Sequence, residues 1–241
     1  MNILEFSPYL TVVLGLVALV YFLVLRVKKA TPLAVMIKSL VSFLFMATAA
    51  ASLAISRDYF FSLLILLGLL CGLIGDIVLD VMVVYPQDTK PWRYSGMTAF
   101  TIGHIFYMIA IYTNMPAINA GLWAYALIPV ILGIIVSSVA VLGASKMGLN
   151  YGPYKAFAAT YAFLLSFMVG TTGVIAYYSG WPTRWLLMFV GSIMFLVSDL
   201  ILSQQYFGPE KLMKSPLLII TNHFTYYLAQ FLIALSILFI A

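Results

Sequence analysis

The sequence predicts an all-α polytopic membrane protein: one domain over residues 1–241, built as a bundle of eight transmembrane helices. Three observations carry that prediction. Charged residues make up 8% of the chain and hydrophobic ones 64%, whereas a soluble domain is roughly 25% charged. Apolar runs long enough to cross a bilayer, about 20 residues each, recur eight times. The basic residues behind the net charge of +5 sit at the ends of those runs, where they set topology. That placement excludes a nucleic-acid-binding surface, which needs its basic residues gathered on one solvated face.

The first span runs from about Pro8 to Leu25 and stops at Arg26, Lys28 and Lys29. Met1 to Leu10 shows neither a basic n-region nor a small-residue cleavage site, so the first span is expected to serve as the insertion signal. The second opens after Thr31-Pro32, where proline at a helix start loses no hydrogen bond, and ends near Arg57-Asp58. The third is Tyr59 to Tyr85, followed by a polar loop with Pro86, Asp88, Lys90, Pro91 and Arg93. The fourth covers about Ser95 to Thr113 and breaks at Asn114-Met115-Pro116. The fifth runs from Gly121 to Gly143, the sixth from Pro153 to Tyr178, the seventh from Arg184 to about Tyr206 and the eighth from Pro216 to Ala241. No loop is long enough for a separate soluble domain. The single cysteine, Cys71, lies within a span, so an intrachain disulfide is excluded.

Lysine and arginine placement sets the orientation. One side holds Arg26, Lys28, Lys29, Lys38, Lys90, Arg93, Lys146, Lys155, Lys211 and Lys214; the other holds only Arg57 and Arg184. Ten against two puts both termini on the non-cytoplasmic side.

Against this apolar background, Gly75-Asp76-Ile77-Val78-Leu79-Asp80 in the third span stands out. A carboxylate inside a spanning helix costs roughly 2.5–3.5 kcal/mol on insertion scales. Here two of them, four residues apart, project from one face. At ~1.5 Å rise per residue, Asp76 lies roughly 13 Å in from the cytoplasmic end and Asp199, on the seventh span, roughly 10 Å. Lys38, His104 and His223 fall at similar depths on the second, fourth and eighth spans. Tyr226, Tyr227 and Gln230 continue deeper along the eighth, and Tyr107 follows His104 by three residues. Five helices thus carry polar groups to one layer. Small residues recur at helical spacing beside them (Gly68 and Gly72, then Gly96, then Gly191), which favours close helix contact.

A parallel 4+4 internal repeat is also suggested. Asp76 with Leu79 precedes His104 with Tyr107 one helix later, and Asp199 with Leu202 precedes His223 with Tyr226. The repeat predicts that Asp76 and Asp199 face each other across a shared cavity. Simpler readings stand beside these. A single Asp can merely fix helix packing. Lys38 can snorkel to the surface or serve as a counter-ion or headgroup contact. Asp80, near the span end, suits a structural or partly solvated role. His104 can be a satisfied core histidine, His223 is more naturally structural, and the tyrosines could belong to an interfacial belt but for their depth. With two histidines and no H-x-x-x-H pair, no metal or other cofactor is expected.

Taken together, these pieces resemble a known family, the lysoplasmalogenases (YhhN-like, the transmembrane protein 86 family). The resemblance is carried by Ile37-Lys38-Ser39, Gly75-Asp76 with Leu79, and Gly96, Phe100, His104, Phe106 and Tyr107. It continues through Ser198-Asp199-Leu200 and Thr225-Tyr226-Tyr227-Leu228-Ala229-Gln230 into Ala234-Leu235-Ser236. Asp80 and His223 lie outside the pattern. The resemblance implies a hydrolase that cleaves the vinyl-ether bond of lysoplasmalogens, releasing a fatty aldehyde and a glycerophospho-choline or -ethanolamine. Asp76 and Asp199 match the family's two motif aspartates and would be its catalytic pair. Lys38, His104, Tyr107, Tyr226, Tyr227, Gln230, Asp80 and His223 are expected to bind substrate or support the site, the last two from outside the family pattern.

The chemistry suits the residues. Vinyl-ether hydrolysis begins with proton transfer to the alkenyl carbon and proceeds through an oxocarbenium ion that water attacks. It needs one carboxyl as acid and a second carboxylate to stabilise the cation or activate water. No G-x-S-x-G nucleophile motif is present, which makes ester hydrolysis less natural. The implied partners are the lysophospholipid substrate and bilayer lipids. The membrane would be a bacterial plasma membrane or an endoplasmic reticulum. The competing classes are a small proton-coupled transporter, which would need polar access from both faces, and a non-catalytic lipid-binding protein.

Overall fold

The second and third spanning helices begin where side chains replace missing backbone partners. The computed structural model describes residues 3–28, 31–84, 87, 89–117, 120–121 and 123–239. Lys29, Tyr85, Pro86, Asp88 and the two terminal residues Met1 and Ala241, all used in the sequence reading, lie outside them. Helix α1 is Ile3–Lys28. Helix α2, Pro32–Ile55, is capped by Thr31, whose Oγ1 accepts from the Ala34 N–H at 3.2 Å. Its proline sits at the first helical position. Helix α3, Tyr59–Val84, is capped by Asp58, whose Oδ1 accepts from the Phe61 N–H at 3.2 Å. Helix α4 is Thr89–Asn114.

In the second half, a π turn (Trp123–Leu127) leads into α5, Ile128–Leu142. A 3₁₀ turn (Gly152–Tyr154) leads into α6, Lys155–Tyr178. Gly180 (φ 80°) and Trp181 (φ 61°) both adopt the left-handed region to turn the chain, and α7 follows as Thr183–Phe207. A single-turn helix α8, Glu210–Met213, precedes α9, Pro216–Leu235. The described residues contain eight helices long and apolar enough to cross a membrane. The protein is a multi-pass, all-helical membrane protein, as the composition required.

Three boundaries differ most from expectation: α1 runs from Ile3 to Lys28 with Pro8 inside it, beyond the Pro8–Leu25 expected, and two others follow. Thr89 to Arg93, read as loop, forms the first turn of α4. Pro91 is tolerated there because the first N–H groups of a helix have no intrahelical acceptor. The eighth span ends its α-helix at Leu235 and tightens into a 3₁₀ turn over Ser236–Leu238.

The chain divides into two compact units, residues 1–114 with 230–240, and residues 115–229. In the first, α3 packs on α4 through glycines. A Cβ on Gly68 would overlap the Tyr107 ring, one on Gly75 the Phe100 ring, and one on Gly96 the Leu79 side chain. The tightest backbone approach is at Gly103, where a Cβ would lie 2.9 Å from the Gly68 carbonyl oxygen. Small residues thus bring two backbones together without a hydrophobic drive between helices. Elsewhere in this unit Phe45 and Phe231 meet edge to face at 6.4 Å, and Thr11 and Thr48 bond hydroxyl to hydroxyl at 2.9 Å between α1 and α2. In the second unit, Gly170 lies against Pro129 and Gly133 against Phe163. Thr172 and Ser192 join α6 to α7 at 3.0 Å. The outward face of α1 is apolar along its length, from Leu10 through Val13, Val17 and Val20 to Val24, as lipid requires.

Gly103→Val is expected to lower stability by about 1–3 kcal/mol, because the obstructing atom is backbone and cannot rotate away. Ile102→Val, on the exposed flank of the same helix, is expected to change it by less than about 0.5 kcal/mol. Thermal unfolding of the purified variants in detergent measures both.

Candidate active site

Two facing helices of the first unit each carry polar residues at i, i+4, a spacing that stacks side chains on one face. On α2 they are Lys38 and Ser42; on α3 they are Asp76 and Asp80. The Lys38 Nζ lies 3.2 Å from Asp76 Oδ1 and 3.1 Å from Asp80 Oδ1. The Ser42 hydroxyl donates to Asp76 Oδ2 at 2.7 Å. All four side chains are buried, with Asp76 and Asp80 each 4% exposed and Lys38 6%. One ammonium therefore bridges two carboxylates inside the bilayer span, and a hydroxyl takes the second oxygen of Asp76.

This geometry decides between the readings left open for Lys38. Its ammonium is a counter-ion held inward; it neither snorkels to the surface nor stands open to a headgroup phosphate. Asp80 is likewise not solvated. Its distance from the span end suggested water, but the partner that buries it stands across on α2. Ser42 is a residue that sequence reasoning missed. The signal was its position one turn after Lys38, matching the Asp76–Asp80 spacing.

A second polar group lies in the same unit. The Tyr107 hydroxyl donates to Gln230 Oε1 at 3.1 Å. The His104 ring stands edge-on to Tyr107 at 5.6 Å. His104 Nδ1 lies 2.9 Å from the Phe100 carbonyl oxygen. A carbonyl only accepts, so Nδ1 is the nitrogen that donates to it. Tyr107 is 1% exposed and Gln230 is fully buried, so neither belongs to an interfacial belt.

In the second unit, Asp199 is half-buried on α7 and its Oδ1 accepts from the Ser198 hydroxyl at 3.2 Å. Asn222, buried on α9, donates from Nδ2 to the Ser198 carbonyl at 2.7 Å and so fixes α9 against α7 beside Asp199. Asn222 too was missed, although an amide inside a span is costly unless bonded. Its neighbour His223 repeats the arrangement of His104, with Nδ1 2.7 Å from the carbonyl of Ile219. Tyr226 stacks edge-on between Phe195 at 5.4 Å and Tyr227 at 4.9 Å. Lys38, Asp76 and Asp80 are thus brought into one cluster, and His104, Tyr107 and Gln230 into another. Asp199 and His223 each hold local partners in the other unit. Among the described residues, no three His, Cys, Asp or Glu side chains gather as a metal site would require.

Lys38→Met is expected to cost about 3–5 kcal/mol, because it strands two buried carboxylates. Adding Asp80→Asn should recover part of that loss. Detergent unfolding curves of the single and double variants check the order.

Comparison with curated proteins and with solved structures returned no match. The YhhN family profile matches residues 33–237, a stretch that holds the Lys38–Asp76–Asp80 cluster, the Tyr107–Gln230 bond and Asp199. This chain belongs to the YhhN family.

Proposed function

We propose that this protein hydrolyses the vinyl-ether bond of lysoplasmalogens, with Asp76 and Asp199 as the reacting carboxyl groups. The observation that carries the reading is Asp76 itself: a carboxyl 4% exposed in a membrane span, held at both oxygens by Ser42 and Lys38. A membrane helix bears such a group at a cost, and a reaction on a membrane lipid accounts for it. Membership of the YhhN family supports the same reading, since the lysoplasmalogenase resemblance rests on Asp76 and Asp199.

The substrate is a single-chain ether lipid that enters from the bilayer. One carboxyl delivers a proton to the outer alkenyl carbon, which leaves an oxocarbenium ion at the carbon bonded to oxygen. The other carboxylate stabilises that cation and draws a proton from the attacking water. The resulting hemiacetal collapses to a fatty aldehyde and the free glycerol hydroxyl of the glycerophospho-base. Positioning of both groups, rather than a covalent intermediate, lowers the barrier. His104, Tyr107, Tyr226, Tyr227 and Gln230 serve as supporting residues. The membrane is the plasma membrane in a bacterium or the endoplasmic reticulum in a eukaryote.

Purified protein given a lysoplasmalogen in detergent is expected to release aldehyde. Asp76→Asn and Asp199→Asn are each expected to slow release by about 10²–10⁴-fold while the protein remains monodisperse. Folded variants that keep full activity would sink the assignment. Uptake of substrate into vesicles without cleavage would instead favour transport.

A further inference from the structure

Asp80 takes no part in the reaction just described, yet it is as buried as Asp76 and contacts the same ammonium. Its place along the helix suggests why. The turn at Ser56 to Asp58 joins α2 to α3, so the Pro32 end of α2 and the Val84 end of α3 lie at one membrane face. Lys38 is only six residues from that end of α2 and Asp80 four from that end of α3. At ~1.5 Å per residue the lysine backbone is roughly 9 Å deep, within reach of the interface for a four-carbon stem. Asp80 stands on the interface side of Asp76, so it meets the ammonium on the path by which Lys38 would leave.

We propose that Asp80 is a positioning residue. It retains the Lys38 ammonium inside the span, against Asp76 Oδ1, and so keeps the Asp76 carboxyl oriented with Ser42 for reaction. The proposal rests on the vinyl-ether hydrolase reading above. A single carboxylate opposite a long flexible side chain does not fix it, because an isolated pair gives up side-chain entropy for one contact. Two carboxylates one helical turn apart, both facing α2, leave the ammonium one place in which it meets both.

The test compares full-length wild type with Asp80→Ala, Asp80→Glu, Lys38→Met and Lys38→Met/Asp80→Ala, purified in detergent. The readouts are aldehyde release from a lysoplasmalogen and labelling of Asp76 by a hydrophobic carbodiimide, located by peptide mass spectrometry. Asp80→Ala is expected to lower kcat by about 10- to 100-fold, the scale of a misplaced catalytic group. KM should stay within about threefold, since a residue that acts through Lys38 and Asp76 alters the reacting group and not substrate binding. The pH profile of kcat/KM should be displaced, and Asp80→Glu should recover part of the rate. Because Asp80 acts through Lys38, its removal should add nothing in the Lys38→Met background. Carbodiimide labelling of Asp76 should rise several-fold in Asp80→Ala as the ammonium swings away.

An unchanged kcat, a rise in KM alone, or effects of the two substitutions that multiply would overturn the proposal. Where Lys38→Met alone does not fold, the Asp80→Ala kinetics and the labelling decide. A wild type that releases no aldehyde defeats the hydrolase reading, and with it Asp80's role in that reaction. Its retention of Lys38 is then judged on labelling alone, which unchanged rates in Asp80→Ala would overturn.

Discussion

The ion cluster of Lys38 with Asp76 and Asp80 constrains the first unit more than any apolar contact does. Each charged group placed within a span costs roughly 2.5–3.5 kcal/mol. An ammonium about 3 Å from a carboxylate recovers on the order of 5 kcal/mol at an effective dielectric near 20. The two magnitudes are comparable, so the cluster is tolerable only when assembled. Remove one partner and the remaining charges have no water to turn to. Helices α2 and α3 are therefore tied at a fixed register, Lys38 and Ser42 against Asp80 and Asp76. A slide of one turn would take the ammonium from its place between the two carboxylates.

Holding that register requires α3 to be braced from its other side. Gly68, Gly75, Gly96 and Gly103 let α3 and α4 approach until side chains of one rest on the backbone of the other. Polar groups then appear on both flanks of α3, with the ion cluster toward α2 and the Tyr107 ring toward α4. The Tyr107–Gln230 bond joins α4 to the end of α9. Buried hydrogen bonds of this kind contribute about 1 kcal/mol each, but several together exclude alternative packings of otherwise similar apolar helices.

The eight spans were legible in the sequence because bilayer thickness imposes a run length that little else requires. Their ends were less so. Thr89 to Arg93 is polar, and a helix that extends beyond the apolar core into the interface has the composition of a loop. Asp76 could be recognised from cost alone. Lys38 could not be assigned, since a long amphipathic stem reaches either the surface or a buried partner, and only the facing helix decides. Asp80 was underrated for the same reason: distance from the span end is a one-dimensional quantity, and the neighbour that shields Asp80 is 42 residues away in the chain. Ser42 escaped notice because a serine within a span ordinarily bonds its own helix, as this one also does to the Lys38 carbonyl. The two histidines were read as polar groups of one layer, and each proves to be anchored to a carbonyl of its own helix four residues earlier.

The register between α2 and α3 bears on how the chain is made. Lys38 leaves the ribosome 42 residues before Asp80, an interval of roughly 2–8 s at ordinary synthesis rates. During that interval the Lys38 ammonium has neither carboxylate beside it, and its long stem can reach back to the interface. The turn between the helices is only a few residues long, so α2 and α3 are suited to enter the membrane as a hairpin whose charges are matched before lipid surrounds them. A pair built for burial thus couples the two helices in assembly: the Lys38 ammonium gains its buried place only once both carboxylates of α3 stand beside it.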